Sequence, residues 1–225
     1  MTRSICLSSP RVVLVLIVLL CAAASMPAIA QMDLSVVAIT APANGCALAA
    51  TENVTVRIFN YGSSLPPSTS FILTYTINAG GPITEVVTLP STFLSNGSLA
   101  YTFTTQANLF SSGSYIFAAT VSLAGDINPG NDAYNGYTVV NSAPSVGGAI
   151  SLPPAASSGT LTLTGNTGVV QQWEESDDGG QRWFALSNAT TTQAFANLRA
   201  AAIFRARVVN GSCAEAVSST AVVTP

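Results

Sequence analysis

The 225-residue sequence is poor in charge: only 8% of its residues are Asp, Glu, Lys or Arg, and its formal net charge is −3. An average soluble protein carries about 25% charged residues. The chain contains no histidine, which excludes a Ser–His–Asp triad, a Cys–His pair and a histidine-ligated zinc site. It also lacks the basic stripe that nucleic-acid binding requires, so no nucleic-acid partner is expected.

The chain begins with the pattern of a secretory signal peptide over residues 1–30. Arg3 and Arg11 give a basic start, and residues 12–20 form an unbroken apolar run. Ala28-Ile29-Ala30 is a small-x-small cleavage site, which makes Gln31 the expected first residue of the mature protein. We therefore expect a secreted or cell-surface protein.

Two alternatives for this segment are disfavoured. An uncleaved membrane anchor needs about 20 apolar residues, more than the run over residues 12–20 provides. Lipoprotein processing at Cys21 would need a small residue where Leu20 stands. No later segment is long and apolar enough to cross a bilayer, so no membrane span is expected after signal cleavage.

The rest of the chain is long enough for two domains of about 100 residues, and the first is predicted over residues 31–141. Its strand-like runs show the period-2 alternation of half-buried strands. These runs occupy residues 33–39, 53–59, 71–77, 83–89, 98–104, 115–123 and 137–140. Asn78-Ala79-Gly80-Gly81, after the third run, is a strong hairpin signal.

The order of short motifs in this first domain resembles the CARDB family, the cell-adhesion-related domain of bacteria. The matching residues are Asp33-Leu34, Val54-x-Val56, Asn60-Tyr61-Gly62, Phe71 with Tyr75, Gly113-x-Tyr115 and Asn131-Asp132. The resemblance covers about residues 33–140. It implies an immunoglobulin/fibronectin-III-like sandwich without catalytic residues, used for surface display or adhesion.

A polar turn near the end of this domain contains calcium candidates. Asp126, Asn128, Asn131 and Asp132 can supply oxygen ligands to Ca²⁺. Their spacing is not that of an EF-hand, and Pro129-Gly130 already accounts for a turn. A loop without metal is therefore the preferred interpretation, with Asp126, Asn128 and Asp132 kept as candidates.

A Pro- and Gly-containing linker over residues 142–148 precedes the second predicted domain, residues 149–225. That domain resembles a bacterial immunoglobulin-like repeat, with Trp173 at the core position of its third strand. The usual cysteines of the second and sixth strands are absent, with Gly165 and Ala206 near those positions. Paired modules of this kind occur in secreted surface proteins of Bacteroidetes-type bacteria. The predicted fold class is all-β: two immunoglobulin/fibronectin-III-like β-sandwich domains in tandem.

A strand, a tight turn and a second strand are predicted over residues 169–184. Alternation places Val169, Gln171 and Trp173 on one face, with the indole filling the core. The turn matches the Asp-box motif Ser176-x-Asp178-x-Gly180-x-x-Trp183, in which serine and aspartate close the turn. One copy cannot build a propeller. A structural hairpin is the preferred interpretation, and a glycan-contacting loop is the alternative.

Carboxylates crowd the same hairpin, at Glu174, Glu175, Asp177 and Asp178. Paired carboxylates can hydrolyse glycosides, but these residues lie on a hairpin without an evident cleft. A solvated turn is the preferred interpretation. Arg205 and Arg207 share one strand face, and cross-strand pairing with Glu174 is their expected role.

Two cysteines, Cys46 and Cys213, remain after signal cleavage. They fall in different predicted domains, so neither can form a bridge within its own domain. We expect two separate buried or half-buried thiols. An interdomain disulfide is the alternative in an oxidising compartment.

The sequence favours a non-enzymatic protein for adhesion or extracellular structural assembly, without catalytic residues, cofactor or metal. Its partner would be a surface protein or a glycan, and neighbouring modules would join it if the chain belongs to a larger array. The alternative is a carbohydrate-binding accessory module, which would use exposed aromatic side chains. The candidates for that role are Tyr61, Tyr101, Tyr134 and Tyr137.

Overall fold

The computed structural model describes residues 31–154 and 157–225, so the predicted signal peptide lies outside the described residues. Residues Met32–Pro225 form one compact unit. The described residues form β-strands, turns and bridges without a helix. The all-β fold predicted from the sequence, two immunoglobulin/fibronectin-III-like sandwiches in tandem, is confirmed.

The first sandwich pairs a three-stranded sheet of order β1-β3-β6 with a five-stranded sheet of order β2-β8-β7-β4-β5. Its strands are β1 (Leu34–Ala41), β2 (Gly45–Cys46), β3 (Thr55–Asn60), β4 (Ser70–Ile77), β5 (Ile83–Thr88), β6 (Ser98–Thr102), β7 (Gly113–Ser122) and β8 (Ala133–Ser142). The pairings are antiparallel except that of β2 with β8.

Alternation along the strands explains the first core. In β4, Phe71, Leu73 and Tyr75 are buried while Ile72 faces outward, because successive side chains point to opposite faces. The Tyr75 ring meets Phe103 edge to face at 4.7 Å between centroids. Inward side chains of both sheets thus close the sandwich.

The second sandwich also packs three strands against five, in the orders β13-β10-β9 and β12-β11-β14-β15, with β16 paired to β14. Its strands are β9 (Ala149–Ser151), β10 (Gly159–Thr164), β11 (Val169–Ser176), β12 (Phe184–Leu186), β13 (Thr192–Phe195), β14 (Ala202–Val209), β15 (Ala216–Val217) and β16 (Ala221–Val223).

Trp173 lies at the centre of this second core. Its side chain is 0% exposed, and its indole N–H donates to the Thr190 carbonyl at 2.8 Å. Ala206, opposite it on β14, leaves room for the ring. A buried indole satisfies both its apolar body and its polar N–H in this way.

The strand around Trp173 departs from simple alternation. The pairing of β11 with β14 is irregular between Val170 and Gln172, so Val170 is buried and Val169 is 65% exposed. The expectation that Val169 shares the inner face with Trp173 is therefore wrong. A β-bulge inserts one residue and shifts the side-chain phase behind it.

Candidate functional site

The two sandwiches are covalently joined: Cys46 and Cys213 form a disulfide with an S–S distance of 2.12 Å. The expectation of two separate thiols is wrong. The reason is topological, because β2 runs parallel to the end of β8 and places Cys46 opposite Ser142. Ser142 is also the residue against which the turn after β14 packs, and that turn carries Cys213.

Hydrogen bonds reinforce this junction beside the disulfide. The Asn210 backbone N–H donates to Ser145 Oγ at 2.9 Å, and its side-chain amide donates to the Ala143 carbonyl at 2.8 Å. Gly211, with φ +55°, lies so close that a Cβ there would stand 2.1 Å from Ser142 Oγ. The turn after β14 therefore packs closely against residues 142–145, and a side chain at Gly211 would push the turn and these residues apart.

The segment predicted as a linker, residues 142–148, is bonded along its length to the second sandwich. Val146 and Thr167 exchange two backbone hydrogen bonds of 3.1 and 3.0 Å, and Ser219 N–H donates to the Gly148 carbonyl at 3.0 Å. A Cβ at Gly147 would stand 2.0 Å from the Val217 carbonyl oxygen. This segment is an ordered part of the junction.

Asn141 anchors the junction to the first sandwich. Its side chain is buried, and its amide donates to the Leu109 carbonyl at 2.6 Å while its Oδ1 accepts from Leu48 N–H at 2.8 Å. Sequence reasoning did not single out this residue, because its partners lie far away along the chain. Buried polar groups need such partners, and here one side chain connects β8 to two loops.

The acidic hairpin has the contacts of a closed turn. Ser176 Oγ donates to Asp178 Oδ1 and accepts from Gly180 N–H, both at 2.9 Å. Asp178 Oδ1 also accepts the backbone N–H groups of Gln181 and Arg182. These hydrogen bonds, the one from Arg182 first, lower the pKa of Asp178. The Trp183 ring packs close by, under Arg205, whose guanidinium carbon is 3.8 Å from the ring centroid.

Glu174 lies buried at the centre of a charge network. Arg205 Nε contacts its Oε2 at 2.6 Å, Arg207 contacts its Oε1 at 2.9 Å, and Arg207 also reaches Glu215. Burial raises the pKa of Glu174, but hydrogen bonds from Arg207 and Arg205 outweigh burial and lower it. A general acid for glycoside hydrolysis needs a raised pKa, so Glu174 is suited to cross-strand pairing.

The calcium candidates lie around the start of β1. Asp126 Oδ2 accepts from Leu34 N–H and its Oδ1 from Asn128 N–H, both at 2.8 Å. Asn131 donates to Asp33, while Asp132 Oδ1 is buried without a hydrogen-bond partner. Burial, then the charges of Asp126 and Asp33, raise the pKa of Asp132.

Asp126 and Asn128 thus hold the turn together, with the Asn128 contact made by its backbone N–H. Within residues 31–154 and 157–225, no three Asp, Glu or Cys side chains form a group that could hold a metal ion. In the same part of the chain, no helix is long and apolar enough to span a bilayer.

Glu85 is a second residue that sequence reasoning missed. From β5 it accepts hydrogen bonds from the Tyr101 hydroxyl of β6 at 2.7 Å and, just after β6, from the Thr104 hydroxyl at 2.6 Å and the Thr105 N–H at 3.0 Å. Burial raises its pKa, but these hydrogen bonds outweigh burial and lower the pKa to about 2. Glu85 therefore links the two sheets along one open side of the first sandwich.

The tyrosine candidates do not form one exposed platform. Tyr101 bonds to Glu85, Tyr137 donates to the Pro42 carbonyl at 2.8 Å, and Tyr134 packs against the core. Tyr61 is 54% exposed, with its ring against Phe59. A flat row of free rings, as the carbohydrate-binding alternative requires, is not assembled from these four.

Comparison with known proteins gives one family match. The profile of a family described as "Domain of unknown function (DUF8696)" matches residues 143–225. No curated protein matches the chain.

Solved structures that match parts of the chain include the CARDB domain of the PF1109 protein from Pyrococcus furiosus. Its crystal structure in complex with di-metal ions is 19% identical, covers 52% of this chain and 94% of its own, and has a TM-score of 0.33. Its solution structure is 18% identical and covers 50% and 97%, with a TM-score of 0.32. A tetra-tandem repeat from the extending region of a large adhesion protein is 14% identical and covers 86% and 49%, with a TM-score of 0.33.

Proposed function

We propose that the protein is a non-enzymatic, secreted or cell-surface β-sandwich protein that acts in adhesion or extracellular structural assembly. The observation that carries this proposal is the junction, in which the Cys46–Cys213 disulfide joins the two sandwiches. Structural disulfides persist in oxidising environments outside the cytosol, in agreement with the signal peptide predicted over residues 1–30.

The state of the carboxylates supports a non-catalytic role. Glu174, Glu85 and Asp178 are each held by several donors, and their pKa values are lowered. A carboxylate fixed in this way stabilises the fold and is a poor proton donor near neutral pH. The partner we propose is a surface protein or glycan, or a neighbouring module of the same assembly.

Secretion is tested by producing the full chain in a bacterial host that has a periplasm. We expect Gln31 at the mature N-terminus, location outside the cytoplasm, and no thiol reactive to maleimide after denaturation. A cytoplasmic protein with its first 30 residues intact and all four cysteines as free thiols would contradict the proposal. A C46S/C213S variant is the control, since it has neither thiol in its mature part and must still be exported.

Attachment is tested with beads coated with the secreted protein in a flow chamber. We expect more beads to be retained on a layer of cells that produce the protein than on isogenic cells that lack it. Beads coated with the protein after heat denaturation serve as the control. Equal retention of all beads on both layers would contradict a role in adhesion.

A further inference from the structure

We propose that the Cys46–Cys213 disulfide is a mechanical bypass, which carries tension applied on both sides of the closed loop and keeps the enclosed chain, residues 47–212, from extending. The use of such a device rests on the proposed extracellular role. The mechanical property rests on the topology of the chain alone and can fail separately.

The disulfide encloses nearly the whole fold. The bonded cysteines are separated by 167 residues, and the enclosed chain contains β3 to β14. Of the strands in the described residues, only β1 and β2 precede the closed loop or begin it, and only β15 and β16 follow it. Tension applied on both sides of the loop therefore converges on the two sulfur atoms.

The strands outside the loop lie at sheet edges. β1 is the edge of its sheet and pairs with β3 alone, and β16 pairs with β14. Pulling at both ends loads these strands first, because they lie outside the closed loop. β1 carries the buried side chains of Leu34, Val36 and Ile39, so its detachment exposes part of the first core. Once these strands are detached, the covalent bond carries the force. The hydrogen bonds among the enclosed strands, β3 to β14, then carry no load.

The disulfide prevents a large length of chain from extending. An extended chain spans about 3.3–3.6 Å per residue, so a separation of 167 residues corresponds to roughly 550–600 Å. The described segments outside the loop, residues 31–45 and 214–225, can release only about 100 Å at the same rise per residue. A protein that links a cell to a surface would thus resist extension, because most of its chain stays within the closed loop.

The surroundings of the disulfide fit this role. Asn210, Gly211 and Cys213 belong to one turn, and each contacts the segment Ser142–Ser145 that leaves the first sandwich. The covalent bond therefore lies at a junction that non-covalent contacts already align.

Single-molecule force spectroscopy tests the proposal on the secreted protein, with handles attached beyond both cysteines. We expect the oxidised protein to release no more than about 100 Å of chain, and the C46S/C213S variant to release roughly 550–600 Å more. Oxidised molecules that extend as far as the variant would overturn the proposal. Circular dichroism of the variant shows whether it is folded before pulling.

A second measurement avoids dependence on that variant. The oxidised protein is held under constant force, and a phosphine reductant is then added. We expect a stepwise gain of roughly 550–600 Å after reduction. Release of that length before the reductant is added would overturn the bypass, whereas failure of the secretion or bead experiments would contradict only the proposed function.

Discussion

The two sandwiches have the same three-against-five arrangement but distribute their stability differently. The first spreads burial over many aliphatic and aromatic side chains and over the buried amides of Asn60 and Asn141. The second has a smaller core in which Trp173 is the largest buried side chain, flanked by the Glu174 network. The second sandwich therefore depends far more on a single residue.

The composition lets the two be followed separately. All six tyrosines lie within residues 61–137, in the first sandwich, and both tryptophans lie in the second. Tryptophan fluorescence therefore reports the second sandwich, and tyrosine absorbance reports the first. The following predictions use these two signals.

Trp173→Ala has the largest expected effect. Removing a fully buried aromatic side chain costs about 3–5 kcal/mol of unfolding free energy, and here it also removes the hydrogen bond to the Thr190 carbonyl. We expect the denaturant midpoint followed by Trp183 fluorescence to fall steeply, while the tyrosine transition shifts less.

Trp183→Ala is the matched control for that experiment. Trp183 is partly exposed and stacks on Arg205, and a contact of this kind contributes about 0.5–1 kcal/mol. Equal losses for the two tryptophan variants would contradict the central role of Trp173. Equal shifts of both transitions in Trp173→Ala would show that the sandwiches unfold as one unit.

Much of this comparison could be predicted from the sequence, because alternation and turn residues are local signals. The strands, the hairpin after β11 and the burial of Trp173 follow from the spacing of apolar side chains. The bulge before Trp173 was missed, since inserting one residue changes the side-chain phase without changing composition. The disulfide was only the alternative to two separate thiols, because it depends on β2, a two-residue strand that pairs parallel to a distant β8.

Glu85→Gln tests whether the first sandwich depends on its inter-sheet contacts. The glutamine side chain keeps the shape of the carboxylate that accepts hydrogen bonds from Tyr101 and Thr104, but it has no charge. We expect the unfolding free energy to fall by about 1–2 kcal/mol at pH 7. The folded pKa of about 2 lies below the ordinary 4.5. The wild-type carboxylate thus stabilises the fold above pH 4.5, and this contribution is lost as the pH falls toward 2.

Acid titration of both proteins checks this prediction. We expect the two denaturant midpoints to converge between pH 4.5 and about 2, with the tyrosine signal shifted and the tryptophan signal nearly unchanged. Thr84→Val, on the outward face of the same strand, is the control and should not alter the pH dependence. A constant difference across that window would contradict the proposed role of Glu85.

Ala79→Gly should stabilise the first sandwich. Ala79 has φ +55° in the turn between β4 and β5, beside Asn78 with φ +51°. Left-handed backbone costs a residue with a Cβ about 1 kcal/mol, and glycine avoids this cost. We expect a gain of that size in unfolding free energy from the tyrosine transition. Gly81→Ala is the control, because that glycine has no left-handed φ and a Cβ there meets no atom within 4 Å. A loss of stability in Ala79→Gly would show that the greater conformational entropy of the unfolded chain with glycine outweighs the relieved backbone strain.

The smallest expected effect comes from Asp132→Asn, which removes a charge that the fold accommodates poorly. The raised pKa of Asp132 means that the folded state holds its proton more tightly than the unfolded state does. Ionisation of Asp132 therefore costs stability as the pH rises above the ordinary value of 3.8 and through the higher folded value. We expect the variant to gain under about 1 kcal/mol at pH 7 and to lose this advantage below pH 3.8.

Thermal melts with and without 1–5 mM CaCl₂, roughly the range of weak extracellular sites, sharpen the result. If the carboxylate is simply unpaired, Ca²⁺ leaves both melting temperatures unchanged and the variant melts higher. If calcium binds at Asp126, Asn128 and Asp132, the wild type alone is stabilised by Ca²⁺ and the order of the two proteins reverses. The second outcome would make the cluster beside β1 a metal site and would place a ligand-dependent element in the sandwich that otherwise depends on distributed burial.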